Sequence, residues 1–373
     1  MRSAHAPALE LFRTAFGGPP ERWVQVPGRV ELLGNHTDYN AGLVLAAAIQ
    51  PSLTCVVAAR PDRRVRLISS AFPSEPVELR SLQTVRLDPG HWAGYIVAVY
   101  RELRAAGISI TGFDAAIDST IPPGSGLSSS AALLVAVALA LGRLPHRTAT
   151  ERLNVAQLCQ RAEHRLGVHC GLLDYLTVLH AREDHAVHID CRSLAVKTVH
   201  WPDRLALVLV DSEVRHRLID GGYNRIRSDC EAAAASLGVA TLREIRATSW
   251  KRENHRLTAA QRSVATHFVE ENQRVRSAIR AIRAADYRRL GELFTESHHS
   301  SRVHLRNSCP ELDAWIERAR PLPGWLGGRL TGGGFGGMTL HLVKRRNLRA
   351  FLTAMPKITN AQECRPSSGI VEG

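Results

Sequence analysis

The sequence predicts an α+β protein of two domains, on three observations. Its 373 residues and 45 % hydrophobic content are sufficient for two medium-sized cores. Apolar stretches with the period of strands and others with the period of helices both occur along the chain. A break in composition falls at Trp201-Pro202-Asp203, so we expect one domain over residues 1–200 and a second over residues 201–373.

The first predicted domain contains both helices and strands. A short amphipathic helix is expected over residues 5–17, followed by a strand and turn over residues 22–34. Two longer helices are expected over residues 92–106 and 148–166, because apolar side chains recur on one face of each. Further strand-like stretches lie at residues 43–49, 53–59, 64–69, 113–118 and 187–199.

The second predicted domain begins with a strand over residues 205–210. The pattern over residues 224–298 is helical, with an apolar stripe that includes Val275 and Ile279. A glycine-rich loop at residues 332–337 then leads into an alternating strand over residues 338–343.

The chain is strongly basic, with a formal net charge of +13 and a pI of about 10.0. Basic chains often bind nucleic acid or acidic ligands. Here the Arg and Lys residues are spread along the chain, and aromatic residues make up only 5 %, so platforms for base stacking are scarce. We therefore expect phosphorylated small molecules rather than nucleic acid as partners, and we expect a monomer.

Cysteine usage and hydropathy bear on the compartment. The longest apolar run, residues 131–141, is too short to cross a bilayer, and the N-terminal residues lack the apolar core of a signal peptide. The seven cysteines are scattered, and none forms a Cys-x-x-Cys pair. This pattern favours a reduced, cytoplasmic protein without structural zinc and without a membrane partner.

A loop rich in glycine and serine, residues 122–130, runs directly into the apolar residues 131–141. Small residues let the backbone approach a ligand, and the first amides of a helix are unpaired and carry partial positive charge. Such a junction suits a phosphate, although a capped core helix would have the same composition. It is not a Walker loop or a dinucleotide fingerprint, because the Lys-Ser/Thr pair and the third glycine are missing.

Three further segments combine polar groups or glycines. Residues 27–40 hold a cation, carboxylates, a histidine and amides around one predicted turn, which favours hydroxyl recognition. Glu163, late on a predicted helix, and Asp174, beyond a glycine turn, are either structural acids or catalytic groups. The loop at residues 332–337 serves backbone crossing, tight packing or phosphate approach. A solvated helix end, rather than a metal site, is favoured for His298, His299 and His304.

These segments resemble the GHMP sugar and metabolite kinases and, within them, the galactokinase family. Residues 28–40 are similar to the galactokinase signature Gly-Arg-Val-Asn-Leu-Ile-Gly-Glu-His-Thr-Asp-Tyr-Asn, residues 124–131 to the family's phosphate loop, and residues 331–337 to its third motif. The resemblance implies a two-domain GHMP-kinase fold of mixed sheets flanked by helices, with the active site in the cleft between the domains. It also implies ATP- and Mg²⁺-dependent phosphorylation of the anomeric hydroxyl of galactose. The alternative of a non-catalytic galactose and ATP sensor would predict damage to the serine loop or to Asp174, and neither is damaged.

The same resemblance implies roles for individual residues. Arg29 and Asp174 match the catalytic pair, in which Asp174 accepts the proton of the anomeric hydroxyl and Arg29 stabilises charge. Ser130 and Glu163 match the magnesium ligands. The implied sugar contacts are Asn35, His36, Asp38, Gly171 and Tyr223. The implied ATP contacts are Gly124, Ser125, Gly126, Leu127, Ser128, Ser129, Ser130 and Trp92, for which core packing is an equal alternative.

Four positions depart from the galactokinase pattern. Asn35 stands where the family has a Glu that faces the 6-hydroxyl of the sugar, and Glu31 stands where it has Asn. Tyr175 replaces Gln, and Met338 replaces Cys. We therefore expect intact kinase chemistry with one of two specificities. Either the pocket tolerates a sugar altered at C6, such as galacturonate, arabinose or 6-deoxygalactose, or Glu31 and Asn35 exchange roles and galactose remains preferred.

Overall fold

The computed structural model describes residues 4–80, 82, 85, 87, 88, 90–215, 221–248, 250–356 and 360–373. The helices are α1 (Ala6–Phe16), α2 (Ala93–Ala105), α3 (Ser129–Gly142), α4 (Ala149–His164), α5 (Leu173–His180), α6 (Gly222–Leu237), α7 (Trp250–Glu253), α8 (Ala259–Arg283), α9 (Tyr287–Ser300), α10 (Pro310–Ala319) and α11 (Leu348–Ala354). A π-helix, Ser301–Leu305, continues α9. The strands are β1 (Arg22–Leu33), β2 (Leu43–Arg60), β3 (Val65–Ser69), β4 (Val77–Leu79), β5 (Gly112–Ser119), β6 (His185–Asp190), β7 (Ala195–His200), β8 (Leu205–Asp211), β9 (Trp325–Leu330), β10 (Met338–Lys344), β11 (Gln362–Cys364) and β12 (Val371–Glu372).

The first sheet is mixed and is built around the long strands β1 and β2. Its strand order is β12-β1-β2-β5-β3-β4, with β6 beside β2 and β7 beside β6. Strands β3 and β5 are parallel, and β1 and β2 are antiparallel. Helix α3 packs against β1 and β2 and is buried on every side from Ala131 to Ala140. An apolar helix of this kind must be covered all round, and α2, α4 and α5 supply that cover.

The second sheet is antiparallel, in the order β11-β8-β10-β9. Helix α9 packs on β9, and α10 packs on β9 and β10. The 25-residue helix α8 packs against α6 and α9 and also contacts β2 of the first sheet. The chain changes from the first sheet to the second between β7 and β8, and its last strand, β12, returns to pair with β1. The domain boundary near residue 200 stays a prediction.

The expected fold class is confirmed, with one mixed and one antiparallel sheet flanked by helices, but several elements differ from the sequence patterns. The two strands predicted between residues 43 and 59 form one strand, β2. The pairing with β1 moves from Ser52 to Ile49 across Pro27 and Gly28, so Gln50 and Pro51 form a bulge. A bulge accommodates Pro51, because proline has no N–H for the ladder.

Two other predictions need revision, and one helix was missed. The strand predicted over residues 187–199 is the hairpin β6–β7. The long helical region after residue 224 is divided into α6, α7, α8 and α9. The short helix α5, which carries Asp174, was not predicted. Within the described part of the chain, no helix is long and apolar enough to cross a membrane.

Candidate active site

A cavity of about 590 Å³ lies between the two glycine-rich loops. Most of the residues that the sequence analysis singled out line it, namely Arg29, Asn35, His36, Asp38, Trp92, Gly124, Gly126, Ser128, Ser129, Ser130, Glu163, Gly171, Asp174 and Tyr223. Ser125 and Leu127 of the first loop do not line the cavity, because both are buried in the protein. The structure therefore brings together segments that are up to about 300 residues apart in the sequence, from Arg29 to Gly336.

The loop at residues 124–128 has a backbone conformation that lets a ligand come close to the main chain. Gly124, Gly126 and Ser128 all have positive φ, at 66°, 77° and 61°. Glycine adopts this region freely, whereas Ser128 adopts it at the N-cap of α3. Ser128, Ser129 and Ser130 at the start of α3 line the cavity, so the N-terminal end of this helix lies at the cavity.

The second glycine-rich loop packs directly on the first. A Cβ on Gly332 would lie 2.6 Å from the carbonyl oxygen of Gly126, and a Cβ on Gly337 would lie 2.6 Å from that of Ser125. Both glycines also have positive φ. Gly332 and Gly337 therefore serve close backbone contact between the loops, which was one of the predicted alternatives.

Arg29 and Asp174 form the central ion pair. Arg29 Nε lies 2.7 Å from Asp174 Oδ1, and Arg29 Nη1 donates to the carbonyl of Gly126 at 2.6 Å. The Ser128 hydroxyl donates to Asp174 Oδ2. Arg29 extends from β1, while Asp174 stands in the first turn of α5. Each carboxylate oxygen of Asp174 thus has one charged or polar donor, and the carboxylate is tied to the glycine-serine loop.

Asp38 and Gly171 are in close contact. A Cβ on Gly171 would lie 1.9 Å from Asp38 Oδ2, so only glycine leaves room for this carboxylate. Burial, together with the nearby charges of Asp174 and Glu31, raises the pKa of Asp38 to about 7. The acidic side chains of Asp38, Asp174 and Glu31 therefore lie close together at one end of the cavity.

His36 is held as a neutral ring at the same end. Its Nδ1 lies 2.7 Å from the Tyr39 hydroxyl, and its Nε2 lies 3.1 Å from the carbonyl of Gly333. A carbonyl only accepts, so Nε2 carries the proton. Burial lowers the pKa of His36 to about 4. The ring of Tyr223 lies 4.8 Å from that of His36, and both rings line the cavity.

Glu31 and Asn35 contact each other. Asn35 Nδ2 donates to Glu31 Oε2 at 3.4 Å and to the carbonyl of Gly332 at 2.8 Å. Asn35 Oδ1 accepts from Asn307 Nδ2 at 3.0 Å and from the Ser301 hydroxyl at 3.2 Å. The amide of Asn35 therefore links the turn after β1, residues 34–40, to the second glycine-rich loop and to the π-helix. We call residues 34–40 the signature turn.

Arg329 pairs with the buried carboxylate of Glu31. The sequence analysis did not identify this residue. Its Nη2 lies 2.9 Å from Glu31 Oε1, and its side chain is fully buried. Burial raises the pKa of Glu31, which the Arg329 guanidinium partly opposes. A buried arginine at the end of β9 has no local sequence signature, because its partner is almost 300 residues away.

Glu271 on α8 was also missed, and it supports the signature turn from behind. Its Oε1 accepts from the backbone N–H of Gly34 at 2.8 Å, and its Oε2 accepts from Arg274 Nε at 2.6 Å. Burial alone would raise the pKa of Glu271, but Arg274, His267, Arg329 and the Gly34 N–H together outweigh burial and hold the pKa well below its usual range. His267 Nε2 donates to the carbonyl of Asn35 at 2.9 Å. The turn that carries Asn35 and His36 is thus clamped by α8.

Ser130 and Glu163 present oxygen donors to the cavity. Glu163 is buried on α4, and it hydrogen bonds with the Ser130 hydroxyl. Burial raises the pKa of Glu163. Mg²⁺ favours oxygen ligands and takes one or two from protein while substrate phosphates supply others, so this pair fits that ion. Among the described residues, no group of three or more His, Cys, Asp or Glu side chains could hold a metal.

Trp92 combines core packing with an unused donor. It belongs to the core of the first sheet, and its ring is parallel to that of Phe72, with centroids 6.2 Å apart. Its buried Nε1–H has no hydrogen-bond partner among the described residues. Trp92 lines the cavity, but its Nε1 is itself inaccessible to solvent, so this donor is not offered to a bound ligand.

The predicted solvated helix end at residues 298–304 is wrong for His298. This ring is buried, lies 3.0 Å from Asp313, and accepts from the N–H of Leu330. Tertiary packing of α9 on β9 encloses it, which the sequence pattern does not show.

Three family descriptions match successive parts of the chain. Residues 10–61 match the galactokinase galactose-binding signature, residues 94–182 the GHMP kinases N terminal domain, and residues 278–359 the GHMP kinases C terminal domain. The first of these holds Arg29 and the signature turn, and the second holds the glycine-serine loop, Glu163 and Asp174.

Curated relatives are similar over most of the chain. Galactokinase of Bos taurus is 42 % identical over 347 residues, which cover 91 % of this chain and 88 % of the relative. Galactokinase of Roseiflexus sp. (strain RS-1) is 38 % identical over 97 % of this chain and 95 % of its own length.

Solved structures agree with the fold. Lactococcus lactis galactokinase, solved in complex with galactose, superposes with a TM-score of 0.90 at 30 % identity, over 97 % of this chain and 98 % of that one. Methanococcus jannaschii mevalonate kinase superposes with a TM-score of 0.67 at 17 % identity, over 93 % of this chain and 98 % of that one, which shows a shared fold.

Proposed function

The chain belongs to the galactokinase family of the GHMP kinases, and from this premise we propose that it transfers the terminal phosphoryl group of ATP to the anomeric hydroxyl of galactose. The observation that carries the proposal is the Arg29–Asp174 ion pair, which lies beside the glycine-serine loop and in the same cavity as the signature turn. A base and a phosphate-binding loop are thus adjacent.

The phosphates of ATP would be held by the loop. The amides at the start of α3 and the small residues Gly124, Gly126 and Ser129 suit a polyphosphate. Ser130 and Glu163 would hold Mg²⁺, which supplies charge neutralisation of the phosphates. Trp92, which lines the same cavity, would lie beside the nucleotide base.

The sugar would occupy the end of the cavity lined by Asp38, His36, Asn35, Gly171 and Tyr223. Carboxylate and phenol groups provide acceptors and donors for sugar hydroxyls. Both nitrogens of His36 are bonded within the protein, to Tyr39 and to the carbonyl of Gly333, so its ring would form a fixed wall of the sugar site.

Asp174 would accept the proton of the anomeric hydroxyl as that oxygen attacks phosphorus. Arg29 keeps Asp174 oriented through its bond to Oδ1 and keeps positive charge beside the reacting centre, where negative charge develops. Phosphoryl transfer depends mostly on positioning and charge stabilisation, so a rigid pair of this kind is the protein's main contribution.

Asp174→Asn tests this proposal. General base catalysis contributes about 10²–10⁴-fold, so turnover of galactose with ATP should fall at least about 100-fold, while galactose binding measured by calorimetry changes little. A folded Asp174→Asn variant with near-normal turnover would show that Asp174 is not the base. Galactose binding without phosphorylation in the wild type would favour the sensor alternative. The monomeric state and the cytoplasmic location stay predictions.

A further inference from the structure

Tyr175 follows Asp174 on α5 and is completely buried. Its ring belongs to the core of the first sheet. Its hydroxyl, however, donates to Glu163 Oε2 and lies 3.4 Å from the thiol of Cys170. A buried tyrosine hydroxyl needs a hydrogen-bond partner, and here the partner is the carboxylate assigned above to Mg²⁺.

Two side-chain donors fall on the same oxygen of Glu163. Besides the Tyr175 hydroxyl, the Cys170 thiol donates to Oε2 at 3.3 Å. Glu163 itself is only 4 % exposed, so solvent contributes little to its orientation. Donors concentrated on one carboxylate oxygen leave lone pairs of the other oxygen for a different partner.

Tyr175 also links the two helices that carry the acidic groups. Glu163 lies near the end of α4, whereas Asp174 begins α5, and the two helices pack against each other. Tyr175 is adjacent to Asp174 in the sequence. Its bond to Glu163 therefore fixes the position of the metal ligand relative to that of the proposed base.

We propose that Tyr175 is a positioning residue for the cation, whose hydroxyl holds the Glu163 carboxylate in the orientation that binds Mg²⁺. This inference rests on the proposed function, because the role of Glu163 as a ligand comes from it. Hydrogen-bond partners behind a metal ligand typically change metal affinity or activity about 10–100-fold when they are removed. The galactokinase pattern has Gln here, so the tyrosine is a feature of this chain.

Tyr175→Phe removes the hydroxyl and keeps the ring in the core. The affinity for ADP is measured by calorimetry with Mg²⁺ and with a chelator. We expect the affinity for metal-free ADP to stay within about twofold of wild type and the gain in affinity from Mg²⁺ to fall about tenfold. Tyr95→Phe is the matched control, because Tyr95 lines the same cavity but makes no hydrogen bond to Glu163 among the described contacts.

Cys170→Ala and Glu163→Gln extend the test. Cys170→Ala removes the weaker donor on the same oxygen and should give a smaller shift in the same direction, which keeps the test decisive if Tyr175→Phe does not fold. Glu163→Gln should abolish most of the Mg²⁺ effect.

Three outcomes would contradict the inference. Equal losses of ADP affinity with and without Mg²⁺ in Tyr175→Phe would mean that the residue is merely structural. An unchanged Mg²⁺ effect in both Tyr175→Phe and Cys170→Ala would mean that these donors do not orient the ligand. An unchanged Mg²⁺ effect in Glu163→Gln would remove Glu163 from the metal site and the inference with it. By contrast, wild-type protein that binds Mg²⁺ and ADP together but does not phosphorylate galactose would overturn the galactose proposal alone.

Discussion

Glu31 and Asn35 show how two substitutions at the residue scale compensate each other. The galactokinase signature has Asn at the position of Glu31 and Glu at the position of Asn35, so the two residue types are exchanged in this chain. In this chain the two side chains are in contact, and Arg329 pairs with the carboxylate that remains. The exchange therefore keeps one carboxylate, one amide and one buried cation in the same corner. A second carboxylate there would leave a buried charge without a partner, which costs about 3–5 kcal/mol when a buried pair is broken.

Restoring the signature in two steps tests this compensation. Asn35→Glu alone should lower the free energy of unfolding, because Glu31 and the new carboxylate would compete for Arg329. The double variant Glu31→Asn/Asn35→Glu should recover most of the loss, with a coupling energy of about 1–3 kcal/mol by urea unfolding. Additive effects of the two substitutions would contradict the exchange.

The same variants distinguish the two predicted sugar specificities, a preference for galactose or tolerance of a sugar altered at C6. If the residues exchange roles, the double variant keeps the wild-type ratios of kcat/KM for galactose, 6-deoxygalactose, arabinose and galacturonate. If Asn35 instead relaxes recognition at C6, the double variant shifts these ratios toward galactose. The hydrogen bonds of Asn35 to Gly332, Asn307 and Ser301 favour the exchange, because they occupy its amide within the protein.

At the scale of elements, the two glycine-rich loops function as one unit. Gly126 and Gly332 both have positive φ, and each would bring a Cβ to within 3.0 Å or less of the other loop's backbone. The contact is between main chains, so neither partner has a side-chain rotamer that could relieve a clash.

Gly332→Ala should therefore weaken nucleotide binding. Its methyl group would be 2.6 Å from the carbonyl oxygen of Gly126, and alanine disfavours φ of 76°. A strained residue of this kind costs about 1–3 kcal/mol, and a shift of the glycine-serine loop should reduce ADP affinity about tenfold. The matched control is Gly18→Ala, where a Cβ meets nothing within 4 Å. Wild-type ADP affinity in Gly332→Ala would show that the loops are not coupled.

Local sequence signals were sufficient for some elements and not for others. The loop before α3 and the helix itself were predictable, because glycine, serine and apolar runs are read locally. Glu163 and Asp174 received roles only through the family resemblance, because a lone carboxylate has no local signal that separates a structural from a catalytic role. Arg329 and Glu271 were not predictable, because their roles depend on partners more than 230 residues away. Helix α5 was missed because eight residues are too few to show a clear helical period.

At the scale of the whole molecule, buried neutral histidines make stability depend on pH. Burial lowers the pKa of His267 and of His341 to about 3 and that of His36 to about 4. Because the unfolded rings have a pKa near 6.5, the unfolded chain binds more protons below that pH. Each ring therefore contributes stability that is present above pH 6.5 and is lost as the pH falls toward its folded pKa, at up to about 1.4 kcal/mol per pH unit.

Asp38 acts in the opposite direction. Burial, Asp174 and Glu31 raise its pKa to about 7, so the folded state retains this proton where the unfolded chain has lost it. Its contribution to stability increases as the pH falls from 7 toward the ordinary range of an aspartate. Burial also raises the pKa of Glu31 and of Glu163, so these carboxylates act in the same direction as Asp38. The contribution of one histidine is therefore isolated by comparing a variant with the wild type.

We predict that the change in the free energy of unfolding from pH 7 to pH 5 is about 2 kcal/mol less unfavourable in His341→Gln than in wild type, because the variant lacks a ring that is protonated only in the unfolded chain. His341 is suited to the test because it lies in the second sheet, where Nδ1 accepts from Trp325 Nε1 and Nε2 lies 2.9 Å from the Thr339 hydroxyl. Loss of these bonds lowers stability at every pH, so the comparison uses the change with pH and not the absolute value. Urea unfolding at both pH values measures it, with His255→Gln at an exposed position as the control. If His341→Gln and wild type lose the same free energy on acidification, the buried His341 ring is not a source of the pH dependence.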